Sequence, residues 1–104
     1  MRILFDQGVP APLRDRLPKH EVQTAFERGW STLSNGELLG AAEAVFDIVL
    51  TTDRNLEHQQ NLVGRRIAIL VLPTTSWPRL QEMTGAISDA VDALRPGEFR
   101  KLSL

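Results

Sequence analysis

Two aspartates follow two short apolar runs, and this placement is the feature of the chain that most suggests chemistry. The run over residues 2–5 ends at Asp6, and the run over residues 47–52 ends at Asp53. Both runs are typical of buried parallel strands, and the carboxyl ends of such strands form the ligand crevice of an open α/β sheet. The sequence therefore predicts one pocket that holds two carboxylates.

Each aspartate also has a purely structural interpretation. Asp6 suits a turn in which its side chain bonds the backbone near Gly8. Asp53 suits the N-cap of a helix that starts at Arg54. The local sequence leaves both alternatives open beside the functional one.

A second group of polar residues precedes a helical pattern in the first half of the chain. Ser34 and Glu37 have the spacing of a capping box, which satisfies the first backbone N–H groups of a helix. If the start of this helix faces the crevice, Glu37 and Asn35 join Asp6 and Asp53 there. Capping and cation binding are both open for Glu37 at this point.

Carboxylate and amide oxygens are the ligands that Mg²⁺ and Mn²⁺ prefer, and these cations retain several waters. A cation so held polarises a phosphodiester and makes a bound water a better nucleophile. The predicted metal ligands are Asp6, Asp53, Glu37 and Asn35, and Asp6, Asp53 and Glu37 are the predicted catalytic residues. Arg54, Asn55 and Thr52 follow the third strand, and they are the predicted substrate contacts.

Apolar runs and helical patterns alternate along the whole chain, which favours a mostly parallel sheet covered by helices on both faces. The sequence predicts an α/β three-layer sandwich with a five-stranded sheet, in one domain over residues 1–104. The run 67–72 is the predicted central strand, and residues 76–95 form one predicted long helix. The other strands are predicted at 2–5, 20–25, 47–52 and 99–104, and the other helices after Pro10, Ser34 and Asp53.

Composition excludes several classes of site. The chain has no cysteine, which excludes disulfides and thiolate metal centres. Its formal net charge of −1 argues against a dedicated nucleic-acid-binding protein, which is usually basic. No apolar stretch is long enough to span a membrane and no signal-peptide pattern is present, so a cytoplasmic location without membrane partners is expected.

Aromatic and histidine residues add weaker signals. Trp30 and Trp77 suit either stacking on a base or packing against the sheet. His20 and His58 lack the spacing of metal ligands, and surface or strand-edge positions are expected for both.

Several of these motifs occur together in one known group. The opening Ile3-Leu4-Phe5-Asp6-Gln7-Gly8-Val9-Pro10 resembles the start of small bacterial PIN-like proteins. The segments Ser34–Leu39 and Leu50–Leu56 follow in the order of that family. The likeness covers nearly the whole chain, and its specificity comes from the order and spacing of short motifs.

The resemblance implies a PIN-like fold and an Mg²⁺- or Mn²⁺-dependent ribonuclease, in a group of which many members are toxins paired with an antitoxin protein. Asp6 corresponds to the first acid of the family and Asp53 to a later one. The middle acid position holds Asn35, and Glu37 lies in the adjacent matching position, while Gln7 replaces a common glutamate. The resemblance also implies transient contact with RNA and a homodimer.

Two other functions fit the same residues. A receiver-type phosphoacceptor domain also places acids after its first and third strands, and Thr74 would supply its switch hydroxyl. Lys101, within the last predicted strand, falls after the place that a receiver's lysine should occupy. A non-catalytic interaction module with a degenerate acidic site is the third hypothesis, which Asn35 and the nearly neutral charge favour.

Overall fold

Five short parallel strands form one sheet in the computed structural model, which describes residues 1–56 and 65–103. The three inner strands are rich in apolar residues, which suit a surface buried by helices, whereas the two outer strands also contain charged and amide side chains. All neighbouring pairs are parallel, so the predicted α/β class with a mostly parallel five-stranded sheet is confirmed. The strands are β1 (Arg2–Phe5), β2 (Glu21–Thr24), β3 (Ile48–Thr51), β4 (Ala68–Val71) and β5 (Phe99–Lys101).

The strand order β2-β1-β3-β4-β5 determines where a ligand crevice can form. The chain moves from β1 to one side of the sheet to form β2, and then to the other side to form β3. In a doubly wound sheet such a reversal opens a crevice at the carboxyl ends of the two strands between which the order reverses, here β1 and β3. Asp6 follows β1 and Asp53 follows β3, so both lie at this position.

The prediction that 67–72 is the central strand was wrong, because β3 occupies the middle of the sheet and β4 lies between β3 and β5. Every residue of β4 is buried, as is every residue of β3. A continuous apolar run indicates burial on both faces, and any interior strand of a covered parallel sheet meets that condition.

Alternate residues of the strands build two separate cores, one on each face of the sheet. Ile3 and Leu50 point to the face covered by a 3₁₀ helix (Ala11–Arg16) and by the two helices near the carboxyl terminus. Leu4 and Val49 point to the opposite face, which α1 (Asn35–Glu43) covers. This arrangement confirms the three-layer sandwich.

The long helix predicted over 76–95 is in fact two helices, α2 (Trp77–Gln81) and α3 (Thr84–Ala93). Around the break, the backbone N–H groups of Glu82 and Met83 bond the carbonyls three residues earlier, which tightens the turn and ends α2. Thr84 and Gly85, both poor helix formers, follow directly. The predicted apolar stripe survives the break, since Leu80, Ile87, Val91 and Leu94 are buried and Met83 packs against them.

The predicted helix after Asp53 lies mostly outside the described residues, as does His58. In the described ranges no helix has the length and apolar character needed to cross a bilayer.

Candidate acidic site

Asp6 is held at the carboxyl end of β1 by the neighbouring strand and by its own turn. Its backbone N–H donates to the carbonyl of Leu50 at 3.0 Å, and its carbonyl accepts from the N–H of Val9 at 3.0 Å. Its side chain is nearly buried, at 9% exposure. Oδ1 accepts from the Gln7 N–H at 2.7 Å and Oδ2 accepts from the Thr51 hydroxyl at 2.8 Å, so the recorded contacts do not include the predicted bond near Gly8.

The two carboxylate oxygens of Asp53 accept hydrogen bonds from two different groups. Oδ1 accepts from the backbone N–H of Asn55 at 3.0 Å, which is the contact expected of a helix N-cap. Oδ2 accepts from the side-chain amide of Asn35 at 2.8 Å. The capping interpretation is therefore satisfied by one oxygen, while the other faces a second polar group.

Thr51, the last residue of β3, connects the two aspartates. Its hydroxyl donates to Oδ2 of Asp6 and accepts from the backbone N–H of Asp53 at 3.1 Å. The Thr51 residue is only 1% exposed, so this link lies beneath the surface. The structure therefore brings Asp6, Asp53 and Asn35 together into one cluster, which we call the acidic site.

Glu37 lies in the first turn of α1 with its carboxylate turned toward the start of its own helix. Oε1 accepts from the Ser34 backbone N–H at 3.1 Å, and the Ser34 hydroxyl accepts from the Glu37 N–H at 3.3 Å. This is the predicted capping box. The hydrogen bond from the Ser34 N–H lowers the pKa of Glu37 below its ordinary value. A role for Glu37 as a metal ligand stays a prediction, because no recorded contact joins it to Asp6 or Asp53.

The loops around the acidic site pack closely against one another. Gly8 lies so near the Thr52 hydroxyl that a Cβ at position 8 would collide with it, and the Thr75 methyl would lie 3.7 Å from that Cβ. The side-chain amide of Gln7 donates to the carbonyl of Ser31. Gln7 thus ties the loop after β1 to the segment before α1, while glycine at position 8 allows the loops after β1 and β3 to meet.

The predicted substrate contacts occupy the outer side of this cluster. Arg54 and Asn55 are exposed immediately after Asp53, and Thr52 is half-buried against Gly8. None of these three side chains is recorded in contact with Asp6. Their role in substrate binding stays a prediction.

Neutral groups provide all the hydrogen bonds recorded for the two carboxylates. The donors are a hydroxyl, a side-chain amide and two backbone N–H groups. Among residues 1–56 and 65–103, no arginine or lysine forms an ion pair with Asp6 or Asp53. An ionised carboxylate has about four acceptor positions, and the recorded contacts use two on each aspartate. The remaining positions are available to a cation or its waters.

The residues present suit a weakly held hard cation better than a fully protein-enclosed one. In the described part of the chain, no group of three or more histidine, cysteine or acidic side chains is placed to hold a metal ion. Mg²⁺ is usually bound through one or two carboxylates and keeps several waters, which two aspartates and a nearby amide can supply. The donor set of the acidic site fits Mg²⁺ or Mn²⁺ in this sense.

A groove of about 370 Å³ lies at the opposite, amino-terminal edge of the sheet, where Glu43, Asp47, Arg66 and Arg95 line it. Both of its acidic side chains already accept hydrogen bonds. Glu43 pairs with the Arg65 guanidinium at 3.2 Å and accepts from the Arg66 N–H at 2.9 Å. Asp47 accepts from the Arg2 N–H at 2.8 Å. This groove is concave, but its Glu43 carboxylate already has a guanidinium partner.

Comparison with known proteins gives no match for this chain among family models, curated proteins or solved structures. The resemblance to small PIN-like proteins therefore rests on the residues and their order, and membership of that family stays a hypothesis.

Two residues in this region have roles that the sequence analysis did not assign. Thr51 fell within the predicted strand over 47–52, and its bridging role depends on the pairing of β1 with β3. Phe26 was not singled out, yet it is 81% exposed, whereas Trp30 and Trp77 pack against the two cores. The available signal for Phe26 was its place among turn-forming residues, just beyond a strand.

Proposed function

We propose that this protein is a metal-dependent phosphodiesterase that acts on RNA, with Asp6 and Asp53 as the principal ligands of Mg²⁺ or Mn²⁺. The observation that supports it most is a nearly buried carboxylate, Asp6, that receives only neutral hydrogen-bond donors. Burying a charge is costly unless an opposite charge compensates it. A divalent cation at the acidic site would provide that compensation.

The residues of the site have separate tasks in this proposal. The Thr51 hydroxyl orients Asp6, and the Asn35 amide orients Asp53. The cation, when bound, supplies charge to polarise a phosphodiester and to activate a water. Arg54, exposed next to Asp53, is suited to contact a neighbouring phosphate.

RNA as the substrate, an antitoxin protein as a partner and a homodimer come from the resemblance to PIN-like proteins, and a cytoplasmic location is part of the proposal on the composition of the chain. The small net charge of −1 supports brief contact with RNA over stable binding. Local contacts around the acidic site, and not a basic surface, would then position the substrate.

A receiver-type phosphoacceptor function is a second candidate, because the strand order matches that of receiver domains. Lys101 ends β5 and Thr74 follows β4, which places both at the carboxyl edge. However, Asp6 has no second acid beside it, since Gln7 follows it in the sequence, and a receiver domain uses such a pair of acids to hold its cation.

The decisive experiment compares wild type with Asp6→Asn, Asp53→Asn and the control Asp47→Asn, which removes an aspartate from the opposite edge. Mn²⁺ at about 100 times its Kd should stabilise wild type by about 2.7 kcal/mol. For a domain of this size, that corresponds to a rise in Tm of roughly 10 °C or more. The rise should persist in Asp47→Asn and disappear in the two site variants.

Cleavage of a single-stranded RNA is measured on the same four proteins. Replacing even an indirect partner of a metal ligand usually costs about 10- to 100-fold, so Asp6→Asn should lose at least that much activity. Equal activity and equal Mn²⁺ response in Asp6→Asn and Asp47→Asn would refute the proposal. No Mn²⁺ response in wild type would favour the non-catalytic interaction module.

A further inference from the structure

Phe26 lies on a tightly bonded turn beside the acidic site. The turn begins where β2 ends, and the Ala25 N–H donates to the carbonyl of Phe5, the residue before Asp6, at 2.8 Å. The Trp30 N–H then donates back to the carbonyl of Ala25 at 2.8 Å. Gly29 closes the turn with a positive φ of 74°, a conformation that glycine adopts without strain.

The side chains around Phe26 hold this turn in place but leave its ring uncovered. Glu27 accepts two hydrogen bonds from Arg14, at 2.8 and 3.1 Å, which fix the turn to the 3₁₀ helix. Arg28 lies over the Trp30 ring, 4.6 Å from its centroid. Within the described residues, the exposed large apolar side chains belong to Met1 and Phe26, and Phe26 is the more exposed at 81%. A fixed backbone thus presents a solvated aromatic ring.

We propose that Phe26 is a stacking platform for one base of a single-stranded nucleic acid whose backbone passes over the acidic site. This inference rests on the proposed function and adds the residue that positions the substrate. A base presents a flat π-face, and stacking on an aromatic side chain depends little on sequence. The expected binding is therefore tolerant of sequence.

The position of the ring relative to the acidic site supports this assignment. β2, β1 and β3 are adjacent, and neighbouring strands lie about 4.8 Å apart, so about 10 Å separate the ends of β2 and β3. Phe26 follows β2, Asp6 follows β1, and Asp53 and Arg54 follow β3. A single-stranded nucleic acid that crosses this edge of the sheet would pass Phe26, then the two aspartates and then Arg54.

The surroundings of Phe26 favour a base over a protein surface. Protein interfaces use contiguous apolar patches, whereas the residues that follow Phe26 are the charged Glu27 and Arg28. One isolated ring offers little area to a second protein, but it offers a complete face to a planar ligand.

The test measures binding of a fluorescein-labelled, mixed-sequence 2′-O-methyl RNA decamer by fluorescence anisotropy in Mg²⁺ and in EDTA, and a gel run after each titration checks that the decamer is intact. Stacking of one base is worth about 1–3 kcal/mol, so Phe26→Ala should raise the Kd about 5- to 150-fold. Phe26→Trp should retain wild-type affinity, since it keeps an aromatic face. Phe26→Leu, which is apolar without a π-face, should bind as weakly as Phe26→Ala.

Equal affinity of wild type and Phe26→Ala would overturn the stacking assignment. Wild-type affinity in Phe26→Leu would overturn it in favour of a simple apolar contact. Self-association of wild type that Phe26→Ala abolishes would assign the ring to a second copy of the chain instead. An effect of Phe26→Ala that is as large in EDTA as in Mg²⁺, with no effect of Mg²⁺ on wild-type affinity, would keep the platform and reject the metal site.

Discussion

The two edges of this sheet both carry carboxylates, but they neutralise them differently. At the amino edge, Glu43 pairs with Arg65, and two further arginines, Arg66 and Arg95, line the adjoining groove. At the carboxyl edge, Asp6 and Asp53 receive hydroxyl, amide and backbone N–H donors, and no ion pair with a described residue. Asp47 at the amino edge is exposed and accepts from the Arg2 backbone N–H, so the contrast between the edges lies between the paired Glu43 and the nearly buried Asp6.

This difference indicates which edge of the sheet is better suited to bind a cation. A carboxylate that already has a guanidinium partner gains little from a cation in solution. A nearly buried carboxylate that has only neutral partners still carries the cost of desolvation, and a cation relieves it. The groove at the amino edge is concave but holds no buried carboxylate without a charged partner, so the charge balance and the strand-order reversal are the better guides here.

The largest effect is expected from Thr51→Val, which removes the hydroxyl that joins the two aspartates while keeping the size of the side chain. Asp6 would lose a buried donor and the Asp53 N–H a buried acceptor, which costs about 1–3 kcal/mol in the free energy of unfolding. Urea denaturation at low and high salt measures this loss. We expect it to be the same at both, because the donors are neutral.

A double-mutant cycle provides the control for this prediction. In an Asp6→Ala background, Thr51→Val should cost less, because the carboxylate that accepts from the hydroxyl is gone. If the substitution costs the same in both backgrounds, the hydrogen bond from Thr51 to Asp6 does not contribute to stability. The view of the carboxyl edge as one connected cluster would then be wrong.

A smaller effect is expected at the amino edge from Glu43→Gln. The pair with Arg65 is partly exposed, and such pairs contribute about 0.2–1 kcal/mol. Salt screens exposed charges, so the cost should shrink when the ionic strength rises from about 0.01 M to about 1 M. The control Asp89→Asn makes the same change in net charge at an exposed position of α3. It should lower the free energy of unfolding by less than Glu43→Gln at either salt concentration. A salt-independent cost for Glu43→Gln would remove the contrast between the two edges.

Much of this arrangement follows from local patterns in the sequence. Apolar runs predicted the three inner strands, weaker patterns predicted the two outer ones, and Ser34 with Glu37 predicted the capping box, because these features depend on neighbours in the chain. The break between α2 and α3 was missed, since the apolar stripe continues across it. Long-range packing determines which strand lies in the middle of the sheet, whereas an apolar run indicates only that a strand is buried.

The acidic site was less predictable than the fold. Two aspartates after two strands indicated a shared pocket, because parallel strands end at the same edge. The bridging hydroxyl of Thr51 depends on the register that pairs Phe5 with Leu50, which no local pattern specifies. The local sequence allows the Glu37 carboxylate to turn either to the start of its own helix or to the two aspartates. The three-dimensional structure shows that it accepts from the Ser34 N–H.

The smallest effect is expected at Glu37, which lies at the carboxyl edge of the sheet but whose carboxylate contacts the start of its own helix. Its pKa is lowered from 4.5 by the Ser34 N–H, so its stabilising contribution is complete above about pH 4.5 and is lost as the pH falls through the lowered pKa. Glu37→Gln keeps an acceptor for that N–H and does not titrate. The Tm of wild type should therefore fall more steeply than that of Glu37→Gln below about pH 4.5.

The same variant decides whether Glu37 belongs to the metal site. At neutral pH, the rise in Tm that Mn²⁺ causes should be as large in Glu37→Gln as in wild type, because the recorded carboxylate contact is with Ser34. A smaller rise would mean that the carboxylate turns from its helix to the cation. Glu37 would then join Asp6 and Asp53 as a third acidic ligand, and the uncompensated charge of the carboxyl edge would extend to the start of α1.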